Sequence, residues 1–148
     1  MKKIVLWLLL GIGLTGCTYT TVSNLEMQTI DVHVHASDWQ YTHMVDNNYF
    51  RCIIDMPEIT PDVFNEGEVQ AYRLFYDQIN KEWFKHILPD VFHMKEGDFL
   101  YTITVDCIYG VGWLELNYRV SDFAYDTGDY KAFAPEAMDF SIVITQGY

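Results

Sequence analysis

Asp31-Val32-His33-Val34-His35 is the stretch of this chain whose residue types and spacing come closest to chemistry. Side chains two apart on an extended backbone share a face. His33 and His35 therefore point the same way and could chelate one metal ion, with His43 as a third imidazole for Zn²⁺ or Cu²⁺. The alternative is structural. Ile30, Val32 and Val34 alternate with Asp31, His33 and His35, the pattern of a strand with one face in a core and one in water. The alternation is the simpler account, so no metal or other cofactor is expected.

Cys52 and Cys107 both fall on the apolar side of alternating segments. An oxidising compartment permits a disulfide between them. It would close a loop of about 55 residues, worth roughly 4 kcal/mol on the chain-entropy model, provided the β-carbons lie within about 4.5 Å. The other outcome is two free thiols acting as small hydrophobes. No neighbouring residue marks either one as an activated nucleophile. Asp122, Asp126 and Asp129 surround Gly128 and could offer oxygens to Ca²⁺. Their spacing fits no EF-hand, and Asp and Gly are ordinary turn formers. No two acids are placed as a glycosidase pair. The chain is expected not to be an enzyme.

Aromatic residues carry the best hint of binding. There are 9 Phe, 4 Trp and 11 Tyr, 16% of the chain. Trp39, Trp83 and Trp113 exceed what one small core needs, and Trp113 alternates with Glu115, Asn117 and Arg119 on a polar face. Exposed rings on a sheet can stack on sugars or anchor a protein partner. The alternative is that they cap the open edges of the fold.

These residues must be positioned by strands. Strand patterns run over 28–35, 49–56, 68–76, 83–88 (stopped by Pro89), 99–109, 113–120 and 138–145. In the segment 99–109, Phe99, Tyr101, Ile103, Val105, Cys107 and Tyr109 share a face opposite Thr102, Thr104 and Asp106. One helix interrupts them. Thr60-Pro61-Asp62 supplies a cap, a first-turn proline and a first-turn acid, and Gly67 supplies the stop, which predicts a helix over 61–66. Seven strands with short links predict an all-β, antiparallel, immunoglobulin-like sandwich. A small closed barrel is the alternative, because alternation does not separate two packed sheets from one curled sheet.

The 148 residues suit a single domain, and half of them are hydrophobic. The formal charge of −12 argues against nucleic acid, whose phosphates need Lys and Arg. It also argues against docking on anionic lipid through a basic face. The N-terminus points elsewhere. Met1-Lys2-Lys3 is followed by the apolar run from Ile4 to Leu14. A membrane-spanning helix needs about 20 residues, so this run fits the core of a signal peptide. It ends in Leu14-Thr15-Gly16-Cys17, which resembles a bacterial lipobox.

The lipobox implies a diacylglyceryl group on the Cys17 sulfur, cleavage before Cys17, and acylation of the new amine, with palmitate as the expected fatty acid. Two or three acyl chains anchor stably at about 0.8 kcal/mol per buried CH₂. The expected organisation is a signal peptide over 1–16, a lipidated tether over 17–26 and a sandwich over 27–148. With Lys2 and Lys3 removed, the mature charge is 7 − 21 = −14. Thr18 stands where an Asp would retain a lipoprotein in the inner membrane, and no acid precedes Glu26. Both facts favour an outer-membrane protein facing the periplasm.

Two family resemblances follow. Asp31-Val32-His33-Val34-His35 resembles the metal-binding strand of amidohydrolases, but those need a far longer barrel with alternating strands and helices. More extensively, NYFRCIIDMPEIT, DVFNEG, VQAYRLFY, WFKHILP, YTITV and FSIVIT occur in this order. That order resembles a group of small Bacteroidetes lipoproteins and secreted modules of unknown function. The resemblance spans most of residues 28–146, with no counterpart from Ser121 to Met138. It implies an all-β fold and transfers no catalytic residue. The resulting expectation is a non-catalytic structural or protein-interaction module on the envelope membrane. The alternative is a glycan-binding lipoprotein that uses its aromatic residues.

Overall fold

The computed structural model describes residues 25–43, 48–121 and 130–147. The signal peptide, Cys17, most of the tether, and Asp122, Asp126 and Asp129 lie outside the described residues. Nine strands and one α-helix are present among those described. They are β1 (Leu25–Val34), β2 (Gln40–Thr42), β3 (Tyr49–Asp55), α1 (Pro61–Glu66), β4 (Glu68–Asp77), β5 (Glu82–Ile87), β6 (Asp90–Glu96), β7 (Phe99–Gly110), β8 (Trp113–Val120) and β9 (Met138–Gly147).

Two antiparallel sheets result. Sheet A has the order β1-β9-β4-β5, and sheet B has the order β2-β3-β8-β7-β6. The fold is the expected β-sandwich and not a closed barrel. Apolar residues of alternating parity make the two inner faces. Phe140 and Ile142 of β9 are fully buried against Leu114 and Leu116 of β8 and Val105 of β7. Ile30 and Val32 of β1 pack on the same core.

The helix forms where its signals stand. The Thr60 hydroxyl accepts the Val63 backbone N–H at 3.2 Å, and Pro61 opens the first turn. Val63 is the one buried helix residue. Gly67 ends the helix against β9, where a Cβ would run into the Thr145 backbone oxygen.

The structure differs from the expected seven strands in two places. β2 is three residues long, too short to show a period. β6 turns Asp90, Phe92 and Met94 toward sheet A, opposite Val105, Ile103 and Tyr101, so a carboxylate at an inward position hides its pattern. β1 also begins at Leu25, inside the stretch assigned to the tether.

Candidate functional site

β4 and β5 form a hairpin at the edge of sheet A, in the register Phe75–Phe84, Tyr76–Trp83 and Asp77–Glu82. The turn is held by Asp77. Its carboxylate accepts the backbone N–H of Ile79 at 2.7 Å and that of Asn80 at 3.3 Å, and the Asn80 side-chain amide at 2.6 Å. Those bonds hold the Asp77 carboxyl below the usual carboxylate range. Lys81 takes a left-handed backbone with φ 57°, which brings its N–H to the Asp77 carbonyl at 2.8 Å.

No residue of β5 is buried. Trp83 is 60% exposed on the outer face of the sheet, Phe84 is 43% exposed on the inner face, and Ile79 at the tip is 90% exposed. Tyr76 lies beside Trp83, with ring centroids 5.3 Å apart. The hairpin thus shows apolar side chains on both faces, where an ordinary sandwich strand shows them on one.

Beside Trp83 the outer face of sheet A dips into a shallow depression of about 470 Å³, lined by Asp31, His33, Leu74, Lys85 and Asp139. The His33 Nδ1–H donates to Asp139 at 2.6 Å, and the Lys85 ammonium donates to the buried Ser141 hydroxyl at 3.2 Å. His33 and His35 do meet, with ring centroids 4.6 Å apart. His43 is elsewhere, after β2 in sheet B, with its Nδ1 2.7 Å from the Asn48 side-chain oxygen. Among the described residues no group of three or more His, Cys, Asp or Glu could hold a metal. The three-histidine site expected as one option is therefore not assembled.

The disulfide option is also corrected. Cys52 of β3 and Cys107 of β7 are both opposite Leu116 of β8. They share a face but stand two strand spacings apart, roughly 9.5 Å, beyond the reach of a disulfide. Both are free thiols. Burial pushes both thiols up, helped by Asp38 at Cys52 and by Asp106 at Cys107, which reaches about 11.

The three tryptophans do not share a face. Trp39 is buried in the core, 6.1 Å from the Tyr118 ring, and its Nε1 is buried with no hydrogen-bond partner among the described residues. Trp113 folds over Gly110 at the β7–β8 turn, where a Cβ would strike the indole. Only Trp83 presents most of its surface to solvent. The exposed apolar surface around Trp83 that sequence reasoning missed comprises Tyr76, Ile79, Phe84 and Ile87. The available signal was the run Trp83-Phe84, which puts one ring on each face of a strand.

Sequence reasoning also missed an inward-facing polar cluster between the sheets. Arg73 of β4 bridges to Asp90 of β6 at 3.3 Å, and His86 of β5 reaches Asp90 at 3.2 Å. The Arg73 guanidinium lies 4.2 Å from the Phe75 ring centroid and 4.7 Å from that of Phe92. Burial lowers its pKa, and Asp90 pulls it back up.

Among the described residues no helix is long and apolar enough to cross a membrane. No family model, no curated protein and no solved structure matches this chain.

Proposed function

We propose that this chain is a lipid-anchored, non-catalytic module of the bacterial envelope, held at the outer membrane through Cys17, which works by contact through the β4–β5 hairpin. The carrying observation is the hairpin itself. A strand with every residue exposed and rings on both faces contributes little to its own core. Apolar surface left open in this way marks an interaction site. The lipobox supports the anchor, and the order of short motifs supports kinship with small Bacteroidetes lipoproteins.

A glycan-binding role is the second proposal, supported by the depression beside Trp83. An exposed indole next to Asp31, His33, Asp139 and Lys85 offers a stacking surface with hydrogen-bonding groups at its rim, a combination suited to a sugar ring.

Two measurements test the first proposal. Feeding cells a palmitate analogue should label the membrane-bound protein, and Cys17→Ser should abolish both label and membrane retention. An Ile79→Ser/Trp83→Ser variant should keep the circular dichroism of the parent and lose its cross-links to envelope partners. An unlabelled, soluble parent overturns the anchor, and unchanged cross-links overturn the hairpin. Quenching of Trp83 fluorescence by envelope oligosaccharides would favour the glycan role instead.

A further inference from the structure

The outer strands of the two sheets differ in how they are protected. β2 has only three residues, β6 carries Asp90, His93, Lys95 and Glu96 among its seven, and β1 carries Glu26, Asp31 and His33. Shortness and charge both blunt an edge. β5 also carries Glu82, Lys85 and His86, but it is six residues long, leaves apolar Trp83, Phe84 and Ile87 exposed across both of its faces, and has no neighbour beyond it among the described strands. We infer that β5 pairs antiparallel with β5 of a second copy of this chain, about a two-fold axis through Phe84. The inference rests on the contact role proposed above and names its partner.

The register follows from the faces and the charges. A two-fold axis perpendicular to the sheet keeps the two outer faces continuous, so each residue must oppose one of the same parity. With Phe84 opposite the partner's Phe84, Glu82 opposes the partner's His86 and Trp83 opposes the partner's Lys85. Each pair occurs twice by symmetry. On pairing, the imidazole that reaches Asp90 in the single chain turns its N–H to the partner's Glu82 on the inner face, and the ammonium leaves Ser141 to lie against the indole on the outer face. Both kinds of cross-strand pair are favourable. Centring the axis on Lys85 sets ammonium against ammonium. Centring it on Trp83 leaves Glu82 against the partner's Phe84, with no hydrogen-bond donor to meet.

Net charge points to the same place. The whole chain carries −12, yet residues 74–87 hold Lys81 and Lys85 against Asp77 and Glu82, or 2 − 2 = 0, and Arg73 is neutralised by Asp90. Two acidic copies meet here without the repulsion that the rest of the chain would impose.

The test is a cysteine placed on the axis, in the full chain and in the membranes of the expressing cell. Phe84 is exposed, so Phe84→Cys leaves the core intact. Opposed β-carbons in an antiparallel pair lie about 5 Å apart, near disulfide distance. Oxidation with copper–phenanthroline should give a reductant-sensitive dimer for Phe84→Cys. Ile87→Cys, outside the paired residues, and the parent should stay monomeric. Adding Glu82→Lys to Phe84→Cys removes the hydrogen-bond acceptor from both outer pairs and should lower the dimer yield about tenfold.

A monomeric Phe84→Cys protein, or equal cross-linking of Ile87→Cys, overturns the inference, and an unchanged yield with Glu82→Lys overturns the register. Palmitate labelling and hairpin-dependent cross-links are read separately. If they persist while Phe84→Cys stays monomeric, the contact role stands and the second copy is not its partner.

Discussion

Replacing Asp90 with Asn should cost this sandwich about 3 kcal/mol. Asp90 and Arg73 are the charged tie between sheet A and sheet B, with side chains only 10% and 14% exposed. Breaking a buried ion pair from one side costs about 3–5 kcal/mol, because the remaining charge stays buried without compensation. Here the stranded guanidinium keeps two aromatic rings, each worth on the order of 1 kcal/mol, which brings the loss to the lower end. For a domain of this size that corresponds to roughly 10 °C in Tm.

Arg73→Met should cost somewhat less, because the carboxylate it leaves behind keeps His86 at 3.2 Å. The double change Arg73→Met/Asp90→Leu behaves differently. Burial alone lowers the Arg73 pKa more than any other influence on it, so the charged pair starts from a desolvation deficit. An apolar pair of similar volume should lie within about 1 kcal/mol of the parent. Urea unfolding of the four proteins, followed by tryptophan fluorescence, measures all the terms. A loss below about 1 kcal/mol for Asp90→Asn would refute the burial argument. A double variant as unstable as the two single losses added together would refute the claim that desolvation dominates.

Other expectations are simpler. Phe140→Ala removes a fully buried ring and should cost about 3–5 kcal/mol, measured by the same unfolding. Thr60→Ala removes the cap of α1 and should cost about 1 kcal/mol, with amide exchange rising at Val63. The Cys107 thiol, pushed up to about 11 by burial and by Asp106, holds its proton more tightly folded than unfolded, where its pKa is about 8.5. Its contribution to stability is therefore complete below about pH 8.5 and lost as pH rises toward 11, so the parent should lose ground to Cys107→Ala across that window in paired melts. Because Cys52 and Cys107 are unbonded, reductant should leave the Tm unchanged, and a fall on reduction would contradict the strand register.

Much of the fold was legible because period and punctuation agree. The helix occupies the expected 61–66 and β8 the expected 113–120, since Thr60, Pro61 and Gly67 mark the one and strict alternation marks the other. β6 was hidden by the inward Asp90, whose partner Arg73 lies 17 residues away. Local patterns carry no information about that partner. Parity placed both cysteines inward but could not say that β8, the later strand, comes between β3 and β7. The candidate site was the least legible part. Alternation identifies the two faces of a strand, not whether anything covers them. Glu82-Trp83-Phe84-Lys85-His86-Ile87 shows no period because neither of its faces is buried.

The direction of sheet A constrains how such a pair can be mounted. Leu25 is opposite Gly147 at one end of the sheet, while the hairpin tip lies past Leu74 and Asp139 at the other. Phe84 stands about nine residues along the strands from Leu25, roughly 30 Å. An antiparallel pair of the kind inferred above would therefore send its two Leu25 residues in opposite directions, roughly 60 Å apart. If both copies are rooted in one leaflet, the joined eight-strand sheet must recline parallel to the bilayer. If it stands upright, its two roots belong to facing membranes.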